Sequence, residues 1–217
     1  MCGISGVYNF SNESINSEKI LGKILKIQNN RGPDDKNIWI SECKKLHLGH
    51  NRLSIIDLSN NASQPFVSVD QNYIITFNGE IYNFQDIKID LIKKNIKFKS
   101  KSDTEVILES YKYWGIEFLN KLRGMFSFVI WDKREEKLIL ARDPFGIKPL
   151  YYSINKKVLY FASQVKALLS IDEVSSIKNP QRGMFSKLNT TSHWDWDSMS
   201  TNDLERLIIK DDDQTQG

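Results

Sequence analysis

The feature that most constrains the fold of this chain is its succession of short strand-like segments in hairpin-like pairs, with helix-like segments grouped between them. The strand-like segments lie at 3–10, at two places within 37–56, and at 73–77, 125–132, 137–142, 149–153 and 158–162. The helix-like segments have apolar residues at helical spacing and lie at 17–30, 83–94, 103–114 and 163–170. Strands that pair locally, covered by helices, predict an α+β fold built on antiparallel sheets.

One predicted helix has a specific start signal. The segment Ser102-Asp103-Thr104-Glu105 has the capping-box pattern, in which a serine is followed three residues later by a glutamate. It predicts that Ser102 caps the helix and that Asp103 lies in the first turn.

Composition and charge limit the class of protein. The 217 residues are 40% hydrophobic and 26% charged, which is typical of a globular protein. The formal charge of +3, with lysines spread along the chain, indicates no nucleic-acid partner. No apolar run approaches the ~20 residues of a membrane span, and no signal peptide is recognisable. Cys2 and Cys43 are the only cysteines, and we expect both to be free thiols. Without a membrane span or a signal peptide in this sequence, we expect no membrane association and a cytoplasmic location.

The character of the chain changes near residue 172. Residues 2–172 predict one domain, whereas 173–217 are mostly polar and form an unassigned C-terminal tail. The tail contains Trp194 and Trp196, which we interpret either as a partner contact or as a local hydrophobic contact. A short amphipathic helix is predicted at 202–210.

Cys2 is the first residue with a chemical signature. Removal of Met1 would expose a cysteine that carries its own free α-amine. This amine titrates near pH ~8 and can accept a proton at neutral pH, so one residue supplies both nucleophile and base. The structural alternative is a small buried residue near a chain terminus.

Six motifs in a fixed order decide between these interpretations. They are Met-Cys-Gly-Ile-Ser-Gly-Val at the N-terminus, Arg-Gly-Pro-Asp at 31–34, His-Asn-Arg-Leu-Ser-Ile-Ile-Asp at 50–57, Phe-Asn-Gly-Glu-Ile-Tyr-Asn at 77–83, Ser-Asp-Thr-Glu at 102–105, and Arg-Asp-Pro-Phe-Gly-Ile-Lys-Pro-Leu-Tyr-Tyr at 142–152. Over residues 2–170 the chain resembles the class II glutamine amidotransferase domain, and most closely that of the glutamine-hydrolysing asparagine synthetases. The resemblance implies a four-layer α/β/β/α sandwich of the N-terminal-nucleophile hydrolases, and hydrolysis of L-glutamine to glutamate and ammonia.

The chemistry of glutamine assigns roles within these motifs. Arg52 suits the substrate carboxylate, because a guanidinium binds carboxylates bidentately. Asp103 suits the ammonium group. Asn78 and Gly79 are expected to form the oxyanion hole, through a side-chain amide and a backbone N–H. The resemblance adds three residues to the glutamine pocket: Leu53, Ile56 and Glu80.

Each of these positions also has a structural alternative. Arg52 is otherwise a surface arginine at a strand end, and Asp103 a first-turn carboxylate that favours the helix dipole. The pair Asn78-Gly79 is otherwise a hairpin turn.

A metal site is considered and rejected. Cys43, His47 and His50 lie in strand-like sequence and have no evident fourth ligand, so we expect ordinary strand residues there.

The chain departs from the asparagine synthetases in one respect. Their second domain activates aspartate with ATP and needs a Ser-Gly-Gly-x-Asp-Ser type loop, whereas this sequence has no Gly-Gly pair. We therefore expect no cofactor in this chain, with ATP and Mg²⁺ required only by a separate synthetase domain or partner. The chain is then either a stand-alone glutaminase subunit or a truncated relative.

Two other functions stay open at this point. One is a non-catalytic module that binds glutamine or a partner. The other is an N-terminal-nucleophile hydrolase that cleaves a different amide.

Overall fold

With the exception of the helix predicted at 202–210, the predicted strands and helices form in the part of the chain that the structure describes. The structure is a computed structural model that describes residues 1–10, 13–53 and 63–175, together with the backbone of 186–187 and 205–210. The described strands are β1 (Gly3–Asn9), β2 (Asp35–Ile40), β3 (Leu46–Arg52), β4 (Phe66–Val67), β5 (Tyr73–Ile81), β6 (Gly124–Asp132), β7 (Lys137–Arg142), β8 (Tyr151–Asn155), β9 (Val158–Ala162), β10 (Ser186–Lys187) and β11 (Glu205–Lys210). The described α-helices are α1 (Ser17–Ile27), α2 (Phe84–Lys93), α3 (Asp103–Trp114), α4 (Val165–Leu168) and α5 (Asp172–Ser175), and 3₁₀ turns cover Gln28–Asn30 and Gly115–Lys121.

The strands form two sheets. One sheet has the order β10-β8-β9-β1-β3-β2, and the other has the order β11-β7-β6-β5-β4. All pairings among the described strands are antiparallel, as expected when most neighbours are joined by short connections. In the first sheet β1 is central, and in the second β5 and β6 form the longest pair.

Three apolar clusters separate the layers. The first lies between the two sheets and includes Ile4, Leu48 and Val129. The second joins α1 and α4 to the outer face of the β1 sheet, and the third joins α2 and α3 to the outer face of the β5 sheet. The strands β6 and β9, which are buried almost throughout, read as nearly continuous apolar runs. The layers stack as α/β/β/α, so the predicted α+β fold class is confirmed.

The start of α3 follows its predicted signal, with one difference. Ser102 caps the helix, and its Oγ accepts a hydrogen bond from Thr104 N at 3.1 Å. Glu105 does not return to the cap residue. Its carboxylate accepts from Lys99 N at 2.9 Å and from Ser100 N at 2.6 Å, and so ties the preceding loop to the helix.

The predicted helix at 202–210 is wrong. Residues Glu205–Lys210 form β11, which pairs with β7 from Glu205↔Arg142 to Lys210↔Lys137. The open edge of β7 supplies backbone hydrogen bonds to a segment with two adjacent β-branched residues, and a helix this short has little stability of its own. Trp194 and Trp196 lie outside the described residues. Among the described residues, no helix has the length and apolar character to cross a membrane.

Candidate active site

Strand pairing brings Cys2 beside the end of β3. Cys2 immediately precedes β1, and the register of β1 with β3 places Gly3 opposite Asn51. Leu53 N donates to Cys2 Sγ at 3.4 Å, and the same sulfur lies 3.7 Å from Leu53 O. Cys2 is half-buried, and the neighbouring Arg52 is buried. The predicted nucleophile and the predicted carboxylate clamp are therefore at one end of this sheet.

The turn that follows the first 3₁₀ segment fixes Cys2 from the other side. Arg31 Nε donates to Cys2 O at 3.0 Å. Burial lowers the pKa of the Arg31 guanidinium, and its interaction with Cys2 opposes that shift. A Cβ on the adjacent Gly32 would lie 2.3 Å from Asn51 O, so this close packing on β3 requires glycine. Sequence analysis gave Arg31 no role of its own, although it opens the second of the six motifs, directly before the motif that contains Arg52.

His50 links the two sheets at this end of the molecule. Its Nε2 lies 3.3 Å from Phe77 O, so the Nε2–H tautomer donates from β3 to β5. Burial lowers the pKa of His50 to about 4, which keeps the ring neutral at neutral pH. Because Phe77 precedes Asn78 and His50 lies two residues before Arg52, this contact brings the β5 motif to the end of β3. His50 was considered before only as a metal ligand.

Asn78 and Gly79 lie inside β5, so the hairpin-turn alternative is wrong. They pair with Ser127 and Phe126 of β6, respectively. A Cβ on Gly79 would lie 2.3 Å from Met125 O, which explains the glycine in a strand interior. Asn78 is 3% exposed, and its Nδ2 has no hydrogen-bond acceptor among the described residues. A buried amide donor without a partner is costly, and such a group calls for an explanation.

Asp103 reaches β5 from the first turn of α3. Its Oδ2 accepts a hydrogen bond from Ile81 N at 3.2 Å. Burial raises the pKa of the Asp103 carboxyl, the bond from Ile81 opposes the shift, and the nearby charge of Glu80 adds to it. A buried carboxylate with a raised pKa gains most from a cationic ligand. Asp103 lies in the first turn of α3 as predicted, and the two roles considered for it, binding an ammonium group and favouring the helix dipole, are compatible with this position.

The remaining predicted pocket residues are placed unevenly. Leu53 is half-buried and contacts Cys2, whereas Glu80 is exposed. Ile56 lies outside the described residues. The described part of the chain contains no cluster of three metal-binding side chains, and Cys43 is exposed on the turn between β2 and β3.

Solved structures share this fold. The chain is similar to glutamine phosphoribosylpyrophosphate amidotransferase from B. subtilis, with a TM-score of 0.65, 22% identity, and coverage of 77% of this chain and 43% of that one. The chain is also similar to a structure of the allosteric regulatory enzyme of purine biosynthesis, with a TM-score of 0.67 and 22% identity. This match covers 77% of this chain and 43% of that one. The four-layer α/β/β/α sandwich of this chain is therefore the fold of these amidotransferase structures.

Sequence comparison narrows this class to a family. Residues 1–205 match the family described as the glutamine amidotransferase domain, and the chain belongs to that family. It is 42% identical over 171 residues to glutamine-hydrolyzing asparagine synthetase 1 of Bacillus subtilis (strain 168), covering 78% of this chain and 27% of that protein. It is 33% identical over 202 residues to glutamine-hydrolyzing asparagine synthetase B of Escherichia coli (strain K12), covering 90% of this chain and 35% of that protein. The chain thus spans only about a quarter to a third of the length of these curated relatives.

Proposed function

We propose that this chain hydrolyses L-glutamine to L-glutamate and ammonia, with Cys2 as the nucleophile after removal of Met1. One observation carries the proposal: the buried Nδ2 of Asn78 has no acceptor among the described residues, at the end of the sandwich where Cys2 lies. Such a donor suits an oxyanion that forms only during the reaction. Membership of the glutamine amidotransferase family supports the choice of substrate.

The reaction proceeds in two stages. The Cys2 sulfur attacks the side-chain amide carbon of glutamine while the Cys2 α-amine takes the thiol proton. The negative charge on the amide oxygen is stabilised by the Asn78 side-chain N–H and the Gly79 backbone N–H. The α-amine then gives its proton to the leaving nitrogen, which releases ammonia and leaves a γ-glutamyl thioester. Water, deprotonated by the same amine, attacks the thioester, and glutamate leaves as the thiol is restored.

Two charged residues bind the amino-acid end of the substrate. The Arg52 guanidinium donates two hydrogen bonds to the α-carboxylate in a bidentate contact, and Asp103 accepts hydrogen bonds from the α-ammonium. Leu53, Ile56 and Glu80 form the rest of the pocket. The bond from Ile81 N already fixes one oxygen of Asp103, so the carboxylate is oriented before the substrate arrives.

We further propose that the ammonia passes to an asparagine synthetase domain or subunit. The relatives named above are glutamine-hydrolyzing asparagine synthetases, and the chain matches only a part of each. ATP and Mg²⁺ belong to that second reaction, and the glutaminase step needs no cofactor. The 217-residue chain, given glutamine, aspartate, ATP and Mg²⁺, is expected to form glutamate and ammonia without AMP, pyrophosphate or asparagine. The free thiol that the chemistry needs favours the cytoplasm.

Glutamine turnover and glutamine binding separate this proposal from its two rivals. The purified chain is incubated with L-glutamine, and glutamate and ammonia are measured; binding to the Cys2→Ser variant is measured by calorimetry. We expect turnover in the unsubstituted chain and binding without turnover in the variant. Glutamine binding without turnover in both proteins would favour a glutamine-binding module. The absence of both glutamine binding and turnover would favour a different amide substrate.

A further inference from the structure

Gln64 is a buried side chain that no motif of the sequence singles out. It lies just before the edge strand β4 and is 8% exposed. Its carboxamide uses both of its ends: Oε1 accepts from Phe77 N at 2.6 Å, and Nε2 donates to Thr104 Oγ1 at 3.4 Å. Gln64 therefore connects β5 with the first turn of α3.

The two contacts of Gln64 flank the two halves of the candidate site. Phe77 directly precedes Asn78, and Thr104 directly follows Asp103. The carbonyl of Phe77 is held separately by His50. Gln64 thus fixes the N–H of Phe77, and His50 fixes its C=O. Of these two side chains, Gln64 is the one that also bonds to α3.

The spacing between these two halves matters for the chemistry. Glutamine has a fixed separation between its α-ammonium group and its side-chain amide. Asn78 is proposed to act at the amide and Asp103 at the ammonium, so their separation determines whether both contacts form in one bound pose. Misplacement by about 1 Å can cost about a hundredfold in rate.

We infer that Gln64 is a positioning residue that sets the distance between the oxyanion donor of Asn78 and the ammonium acceptor of Asp103. This inference rests on the proposed function. Gln64 does not touch the substrate. It acts through Phe77 and Thr104, and its removal loosens the strand that carries Asn78 relative to the helix that carries Asp103.

The gentlest test changes the partner and leaves Gln64 in place. Thr104→Val removes the hydroxyl that accepts from Gln64, while Thr104→Ser keeps the hydroxyl and removes only a methyl group. Values of kcat/KM for glutamine are measured per active thiol, titrated with a thiol-alkylating glutamine analogue, so that unfolded protein does not count. We expect a fall of about tenfold in Thr104→Val and less than about twofold in Thr104→Ser. Equal values in the two variants would overturn the inference.

The second test asks whether Gln64 acts through Asn78. Gln64→Met, which keeps the length and removes both hydrogen bonds, is expected to lower kcat/KM by about tenfold to a hundredfold. In an Asn78→Ala background the same change is expected to cost less than about threefold, because effects on one catalytic contact are not additive. An equal fall in both backgrounds would mean that Gln64 only stabilises the fold.

A matched control separates stability from positioning. Tyr111 OH donates to Asp132 Oδ2 at 2.8 Å, a buried hydrogen bond at the opposite end of the β5–β6 pair. Tyr111→Phe is expected to lower the thermal midpoint without lowering kcat/KM per active thiol.

If the unsubstituted chain forms no glutamate, the proposed function fails. If the unsubstituted chain hydrolyses glutamine and Gln64→Met has the same kcat/KM, only this inference fails.

Discussion

The backbone N–H of Leu53 donates a hydrogen bond to the Sγ of Cys2 across 3.4 Å, although the two residues are 51 positions apart in the chain. A donor at this distance stabilises negative charge on the sulfur. The contact depends on the register of β1 with β3, which also fixes Arg52 beside it. The proposed nucleophile and the proposed carboxylate-binding arginine are therefore held by one strand pairing.

Loss of the Arg52 guanidinium is expected to weaken substrate binding. Arg52→Ala removes a charge-assisted contact worth about 1.5–3 kcal/mol, so KM for glutamine should rise about tenfold to a hundredfold. Since the carboxylate contact is the same in ground and transition states, kcat should change by only a few-fold. Arg134→Ala, at an exposed arginine in the turn between β6 and β7, is the control. An unchanged KM in Arg52→Ala would mean that this arginine is only structural.

Asp103→Asn is expected to remove the negative charge of the side chain while keeping its hydrogen bond from Ile81 N. The asparagine oxygen can still accept from Ile81 N, so the change isolates the attraction for the substrate ammonium. KM for glutamine should rise, and discrimination against glutaramate, which lacks the α-amine, should fall. If discrimination is retained, Asp103 does not bind the ammonium group.

The same carboxylate predicts an acidic limb in the pH profile. Burial raises the pKa of Asp103 in the free protein, and only the ionised form attracts an ammonium group. The value of kcat/KM should therefore fall as the pH drops through a pKa above the usual ~3.9 of an aspartate. The limb should be absent from Asp103→Asn; its persistence there would assign it to another group.

Removal of the Asn78 side-chain amide is expected to slow the chemical step. Loss of one oxyanion donor typically lowers kcat by about a hundredfold to a thousandfold, so Asn78→Ala should lose activity on that scale with little change in KM. Asn155→Ala, at a half-buried asparagine that donates to Glu173 O, should retain activity. A normal kcat in Asn78→Ala would mean that the Asn78 Nδ2, which has no acceptor among the described residues, has no catalytic role.

His50 predicts an acid-sensitive stability. Its pKa is lowered from 6.5 to about 4 in the folded chain, so the unfolded chain binds more protons between these values. The free energy of unfolding should therefore fall as the pH drops, with His50 contributing a loss of about 2 kcal/mol between pH 7 and pH 5. Denaturant unfolding of wild type and His50→Gln at both pH values isolates this term, because glutamine keeps an N–H donor but does not titrate. An equal pH dependence in the two proteins would rule out His50 as the source.

Sequence reasoning succeeded where local chemistry determines structure. Ser102 was predicted to cap α3 because a hydroxyl three residues before a glutamate is a strong local signal, and it does so. The strands and the α+β fold class followed from apolar patterns, whereas the α/β/β/α layering was implied by the family resemblance. The ordered motifs gave Cys2, Arg52, Asn78, Gly79 and Asp103 as the candidate site.

The contacts that sequence reasoning missed depend on tertiary structure. The partners of Gln64 lie 13 and 40 residues away, and nothing in the local sequence of Gln64 indicates either one. Glu105 looked like a capping-box partner of Ser102 but binds the preceding loop, because two backbone donors and a hydroxyl are available there. Residues 205–210 form a strand since the open edge of β7 outweighs weak helical preference.

The position of the α-amine on Cys2 tests the central claim most directly. Two chains are compared: the wild type after removal of Met1, confirmed by intact mass, and a variant with one alanine inserted before Cys2. The variant keeps the thiol but moves the amine one residue away from it. Ammonia release from L-glutamine is measured for both. The account predicts turnover in the first chain and loss of turnover in the second, with glutamate and ammonia formed in equal amounts by the first. Equal turnover in the two chains would contradict it.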